Sequence, residues 1–478
     1  MAEIAKKDNL LILLLGMAAI LIFSYSWVPG GLDTDSCNYA AVAKEALRTN
    51  SWLGLYDPVY QGVFYYHFPL CIWITGFFFK ILGVSTFAAK LFSMLSALAL
   101  TAAIFYFGKL LKNQWTGFFA GAVFMLTNHI VRLSRQCRMD LPVTLFITLA
   151  ILSFILAQRR SKKYYLLFGL STSLAIFSKD ISGLAPLAIV FVYLVLLGRF
   201  KEFFRPFFIL GLLLAIGPVL LWIWLDKNTL FSRWWGWNFL HLMKSPGFNV
   251  PWHYYITAII NKYFYFLPLA VYGGYLAVKE AKRNKDHELY LLVIWAIIFP
   301  AAFSFGRQKL HYFILPMYAA TALLAGIALD HLLKEGLKTK IATGIKFILI
   351  AASLALLCLP LNIRSKRFAE TVRMSPAIDL LLKQLPEYDF IVYRQDSAAI
   401  LFYSQELTRV KHIDTRERLE ESLKADLLKP RIFYMREEDF FELEPSLTRQ
   451  CRVIFKYRDR MIIALPKELN ITVILPDN

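Results

Sequence analysis

The chain has 478 residues, 58% of them hydrophobic, a mean hydropathy of +0.50 and a formal net charge of +19. Its apolar runs reach roughly 20 residues, the length of a bilayer-crossing helix, and recur too often for a soluble core. In lipid every backbone polar group needs an internal partner, so these runs are expected to be helices. The positive charge does not indicate nucleic acid. Basic residues gather in short turns (Arg159, Arg160, Lys162 and Lys163; Arg199 and Lys201; Lys279, Lys282, Arg283 and Lys285; 334–340), which is the distribution of cytoplasmic loops.

In chain order, residues 9–28 form the first span, behind Lys6 and Lys7, and read as an uncleaved anchor. Asp33 and Asp35 follow it, and Ser36 to Leu47 has the period of an amphipathic interfacial helix. Asp35 is a candidate N-cap of that helix, a role that leaves its carboxylate available as a base. Residues 69–84 are apolar but short, and Lys80 and Gly83 interrupt them. They read as a juxtamembrane or re-entrant helix. Further spans are expected at 86–108, 116–133, 141–157, 164–178, 183–198, 206–225, 257–278, 289–305, 313–331 and 343–362, about eleven crossings in all. With the N-terminus cytoplasmic, the segments 29–68, 134–140, 179–182, 226–256, 306–312 and 363–478 fall on the external face.

Those external segments hold the polar residues of chemical interest. Arg135, Arg138 and Asp140 precede Pro142, where Asp140 reads either as a helix cap or, with the arginines, as a phosphate or sugar contact. Lys179 and Asp180 end another span, and Arg307, Lys309, His311 and Tyr312 form a second basic cluster. Lys179, Arg307 and Lys309 together suit an anionic headgroup, although singly each reads as a solvated boundary charge. The loop 226–256 carries Trp234, Trp235, Trp237, His241, Trp252, His253 and Tyr254, an interfacial aromatic belt that can coexist with a sugar platform. Cys37, Cys71, Cys137, Cys358 and Cys451 have no metal-ligand spacing and read as packing residues.

From about 371 the apolar runs shrink to strand length: 390–393, 431–434, 453–455 and 461–464, with amphipathic segments such as 416–424 between them. The expected architecture is therefore an α-helical polytopic membrane domain, 1–370, followed by a small soluble α/β domain, 371–478, outside the membrane. That tail has no nucleotide-binding glycine loop.

The chain resembles the bacterial lipid-linked-sugar glycosyltransferases of the C-type fold, which include the aminoarabinose and galacturonic acid transferases and, more distantly, protein O-mannosyltransferases. The resemblance spans about 9–330. It rests on Asp35-Ser36-Cys37-Asn38-Tyr39-Ala40, Tyr66-His67-Phe68-Pro69, Met139-Asp140-Leu141-Pro142, Phe177-Ser178-Lys179-Asp180 and Lys309-Leu310-His311-Tyr312, with Pro316 after it. Order and spacing carry it, since no one element is specific. Four positions depart from the pattern. Ser36 replaces an acidic neighbour, Tyr66 a glutamate that can bind metal, Phe68 a proline and Asp180 a glycine.

The resemblance implies inverting transfer of a sugar from a polyprenyl-phosphate donor to an extracytoplasmic acceptor, a cell-envelope lipid or glycan. Asp35 would be the general base, and Lys179, Arg307 and Lys309 would hold the donor phosphate. Asp140, His67, Asp33, Arg138 and Tyr312 would contact sugar or acceptor. No metal site is carried over, because the glutamate ligand is absent. The enzyme would be a multi-pass protein of the inner membrane. The rival class is a multi-span transporter or flippase of a lipid-linked saccharide, but the sequence shows no clear internal repeat of the transporter kind.

Overall fold

The computed structural model describes residues 2–24, 31–225, 250–284, 286–306, 308–334, 366–385, 388–394, 397–404, 410–424 and 431–465. They divide into two compact units: one of 1–28, 65–74 and 90–361, the other of 29–64, 75–89 and 362–478. The helices α3 (Leu70–Leu82) and α4 (Thr86–Leu111) each run across a boundary between them.

The first unit is helical. It comprises α1 (Ala2–Ser24), most of α4, α5 (Gln114–Leu126), α6 (Asn128–Ser134), α7 (Asp140–Arg159), α8 (Tyr164–Gly183), α9 (Ala185–Leu196), α10 (Pro206–Leu225), α11 (Tyr254–Tyr263), α12 (Leu267–Asn284), α13 (Leu289–Ser304) and α14 (Met317–Lys334). α14 is buried on every side from Met317 to Asp330, as expected of a helix inside a bundle. It packs on α5, α12 and α13, while α8 packs between α7 and α10. α10 instead turns Leu210, Leu213, Leu214, Leu220, Leu221 and Trp224 outward, an apolar face suited to lipid rather than water.

Among the described residues three helices, α4, α7 and α10, are long and apolar enough to cross a membrane. The pair α8 and α9, bent by 82°, has the length and composition of a broken span or of a re-entrant loop. Two of the expected spans are broken. The span 116–133 divides at Thr127, which has extended backbone (ψ 112°). The span 257–278 divides between Tyr263 and Leu267, and 343–362 lies outside the described residues.

In the second unit β1 (Tyr56–Asp57) pairs antiparallel with β2 (Gly62–Val63). The strands β3 (Asp389–Tyr393), β4 (Lys411–Ile413), β5 (Arg431–Arg436), β6 (Arg452–Tyr457) and β7 (Arg460–Leu465) form a five-stranded sheet of order β4-β3-β5-β7-β6. β3 runs parallel to β4 and β5, and β7 pairs antiparallel with both β5 and β6. All four apolar runs expected as strands lie in this sheet. Ile391, Phe433, Met435 and Ile463 of its strands pack with Leu419 and Leu423 of the helix Arg416–Lys424.

The same unit contains α2 (Thr34–Thr49), which packs on the helix Ser397–Tyr403. Leu32 N–H donates to the Tyr403 hydroxyl at 2.9 Å. Lys44 Nζ donates to the carbonyls of Leu401, at 2.9 Å, and of Ser404, the orphan acceptors at a helix C-terminus. The segment carrying Asp35 is thus built into the unit that holds the C-terminal sheet.

α8 and α10 cross at glycines. A Cβ added at Gly169 would lie 2.0 Å from Gly211 O, and one added at Gly211 would lie 2.4 Å from Tyr165 O. Such close approach between membrane helices requires small residues. Gly211→Leu is expected to destabilise the protein by about 1–3 kcal/mol or more through overpacking. Gly217 lies on the same helix with nothing within 4 Å of its added Cβ, so Gly217→Ala is expected to be tolerated. Thermal unfolding in detergent checks both; equal tolerance would contradict the crossing.

Candidate active site

The site of interest in the first unit is built at a break in α8. Lys179 (φ −157°, ψ 56°) and Asp180 (φ 40°, ψ −118°) leave helical geometry, and the helix resumes after them. In a continuous helix, neighbouring side chains diverge by about 100° around one axis. Here the break sends Lys179 to α7 and Asp180 to the segment before α3.

Lys179 Nζ donates to Asp140 Oδ1, and Arg138 Nε donates to Asp140 Oδ2 at 3.0 Å. All three residues are buried. Asp140 does not cap α7: it is the first helical residue, and the N-cap position is Met139, which makes no side-chain cap bond. Its carboxylate instead spends both oxygens on cations. The backbone at Arg138 is fixed by Ser93, whose hydroxyl donates to Arg138 O at 2.8 Å and accepts from Arg138 N–H at 3.1 Å. Tyr312 completes the group, with Arg138 Cζ 4.5 Å and Lys179 Nζ 4.9 Å from its ring centroid, within cation–π range. Two buried cations share one carboxylate, so this triad keeps a net positive charge suited to an anion.

On the other side of the break, Asp180 Oδ2 lies 2.6 Å from His67 Nδ1, and Oδ1 accepts Phe68 N–H at 2.8 Å. Asp180 was not among the expected site residues. Its signal in the sequence is a carboxylate at the glycine position of the turn motif, but its partner lies 113 residues away.

The second unit corrects a detail at α2. Its N-cap is Asp33, which accepts Ser36 N–H on Oδ1 at 2.9 Å, and Asp35 lies in the first helical turn. Capping therefore falls to Asp33 and does not account for Asp35.

Lys309 is buried in the first unit, where its ammonium donates to Val250 O at 3.1 Å and Gly306 O at 2.6 Å. Those bonds tie down its own loop. Arg307 lies outside the described residues, as do Trp234, Trp235, Trp237 and His241. His311 lies beside His129, with ring centroids 4.9 Å apart and the rings tilted by 36°. Among the described residues no group of three or more His, Cys, Asp or Glu side chains is arranged to hold a metal ion.

Against known proteins, the family model "Dolichyl-phosphate-mannose-protein mannosyltransferase" matches residues 66–224. ArnT from Cupriavidus metallidurans, solved bound to undecaprenyl phosphate, superposes with a TM-score of 0.76 at 15% identity, covering 95% of this chain and 97% of that one. This is the C-type glycosyltransferase fold. The archaeal oligosaccharyltransferase AglB from Archaeoglobus fulgidus shares it more loosely, with a TM-score of 0.59 at 11% identity over 98% of this chain and 75% of that one.

In sequence, the undecaprenyl phosphate-α-4-amino-4-deoxy-L-arabinose arabinosyl transferase of Pectobacterium carotovorum is 26% identical over 73% of this chain and 65% of its own length. For the transferase of the same name from Aeromonas hydrophila, the chain spans 56% of the relative's length. The resemblance of the C-type-fold chain to lipid-linked-sugar glycosyltransferases, read first from its motifs, is borne out.

Within this C-type fold the charged triad has a measurable signature. Asp140→Asn is expected to cost about 3–5 kcal/mol, because it strands two buried cations. Adding Lys179→Met should restore part of that loss, since the residues act as one network. Unfolding of the single and double variants checks this; strictly additive losses would mean that the pair is not coupled.

Proposed function

We propose that this protein is an inverting glycosyltransferase that moves a sugar from a polyprenyl-phosphate donor to an extracytoplasmic acceptor, a cell-envelope lipid or glycan. The observation that carries the reading is the buried pair of cations, Arg138 and Lys179, held on one carboxylate beside an aromatic ring. Burying such charges is costly at a membrane boundary and is characteristic of functional sites. The solved relative that shares the fold binds undecaprenyl phosphate, the group that would leave in this reaction.

In the reaction, an acceptor hydroxyl attacks the anomeric carbon on the face opposite the phosphate. The C–O bond to phosphate breaks, its electron pair leaves with the polyprenyl phosphate, and the configuration inverts. Asp35 takes the hydroxyl proton, a role typically worth about 10²–10⁴-fold in rate. Lys179 and Arg138 stabilise the charge that develops on the departing phosphate, and Asp140 keeps the two cations in register. Arg307 belongs to the same phosphate-binding group in this reading, and Lys309 supports it by fixing the backbone at Gly306 and Val250. His67, Asp33 and Tyr312 serve the sugar or acceptor.

Asp35→Asn keeps the size of the side chain, and Asp33 keeps the cap, so the variant should fold and lose transfer by on the order of 10²-fold or more. Reconstitution with a polyprenyl-phosphate sugar or a nucleotide sugar, each with an envelope-lipid acceptor, checks the donor. Near-normal transfer by folded Asp35→Asn sinks the base assignment, and activity with the nucleotide sugar alone sinks the donor class. Movement of the lipid-linked saccharide across a vesicle without sugar transfer would favour a flippase.

The reading also places the catalytic residues and the C-terminal unit outside the inner membrane. A reporter fused after Asn478 is expected to be active only in an extracytoplasmic compartment. Cytoplasmic activity would reverse the orientation.

A further inference from the structure

Asp180 holds backbone angles (φ 40°, ψ −118°) that glycine adopts freely and an aspartate does not. A non-glycine residue persists there only when its surroundings over-determine it. Those surroundings are two hydrogen bonds to a side chain that is 2% exposed: Phe68 N–H to Oδ1 and His67 Nδ1 to Oδ2. Both oxygens of the carboxylate accept, so the ring proton of neutral His67 lies on Nδ1 and the lone pair lies on Nε2.

We propose that Asp180 is a positioning residue that locks His67 in the Nδ1–H tautomer, with Nε2 as the acceptor for a hydroxyl of the bound sugar or acceptor. The identity of that hydroxyl rests on the transferase reading, whereas the tautomer does not. The Phe68 N–H bond fixes the carboxylate, and the carboxylate in turn holds the imidazole through Nδ1, which is how a buried carboxylate commonly directs a working histidine. The ring itself is 18% exposed.

Substituting asparagine separates this role from a merely structural one. The amide of Asp180→Asn would offer one acceptor oxygen where the carboxylate offers two. Phe68 N–H can only donate, so it takes that oxygen. The amide NH₂ is then left facing His67 Nδ1, which forces the proton to Nε2. Asp180→Asn thus keeps the bond to Phe68 and the packing but reverses the tautomer. Asp180→Gly relieves the backbone strain and releases the ring.

The test is ¹⁵N NMR of histidine-labelled protein in detergent, which reads the proton on each ring nitrogen, with the His67 signals identified by their loss in His67→Gln. The wild type should carry its proton on Nδ1 and Asp180→Asn on Nε2, with both proteins melting within about 2 °C of each other. Transfer by Asp180→Asn should fall roughly tenfold or more in kcat/KM, and Asp180→Gly should also lose transfer. A wild-type proton on Nε2, or wild-type transfer by Asp180→Asn, overturns the proposal. If the wild type transfers no polyprenyl-phosphate sugar at all, the transferase reading fails, and the ring-nitrogen measurement still decides whether Asp180 sets the tautomer.

Discussion

Arg138 and Lys179 can be buried together because Asp140 lies between them. Two like charges about 5 Å apart repel by roughly 3 kcal/mol at an effective dielectric constant of 20, and each also loses its hydration on leaving water. A carboxylate with one oxygen on each cation offsets both penalties and leaves a net charge of one sign. The rest of the first unit serves that arrangement. α7 begins at Asp140, Ser93 fixes the backbone at Arg138 from both sides, and α8 breaks at the residue that must reach across.

The second unit places a comparable constraint on Asp35. Its helix starts on the Asp33 cap and is fastened to the helix Ser397–Tyr403 by Leu32 and Lys44. Leu32 precedes the cap, and Lys44 lies nine residues beyond Asp35, so the fastenings flank the carboxylate. The helix Ser397–Tyr403 thereby gives α2 a fixed support, and the base proposed at Asp35 needs a rigid element beneath it.

Elements governed by local pattern were legible in the sequence. The runs at 390–393, 431–434, 453–455 and 461–464 became strands because their β-branched and aromatic residues suit a pleated, buried surface. Lys411–Ile413 was not legible: three residues, two of them exposed, carry no period. The break at Thr127 was hidden inside an apolar run, because no glycine or proline stands beside it to mark a change of backbone direction. Nearby acidic residues were harder still, since Asp33 and Asp35 are both plausible caps and only backbone geometry chooses between them. The pairings that build the site span 39 residues for Lys179 with Asp140 and 113 for His67 with Asp180. Packing sets such contacts, and periodicity says nothing about them.

Two departures from the family pattern meet in the structure. Phe68 stands where the family has a proline, and Asp180 where it has a glycine. Proline has no backbone N–H, so the family residue could not make the bond that Phe68 N–H makes to Asp180 Oδ1. Glycine has no side chain, so it could not receive that bond or hold His67. Asp180 bears a backbone strain of about 1–3 kcal/mol in its glycine-like conformation, and each buried hydrogen bond to a charged group returns about 1.5–3 kcal/mol. Either change alone is unfavourable: the aspartate would be strained with one donor fewer, and the amide would be buried with no carboxylate to accept it. Together they balance. The bond from Phe68 N–H and the strain at Asp180 are thus coupled, and together they fix a carboxylate beside His67.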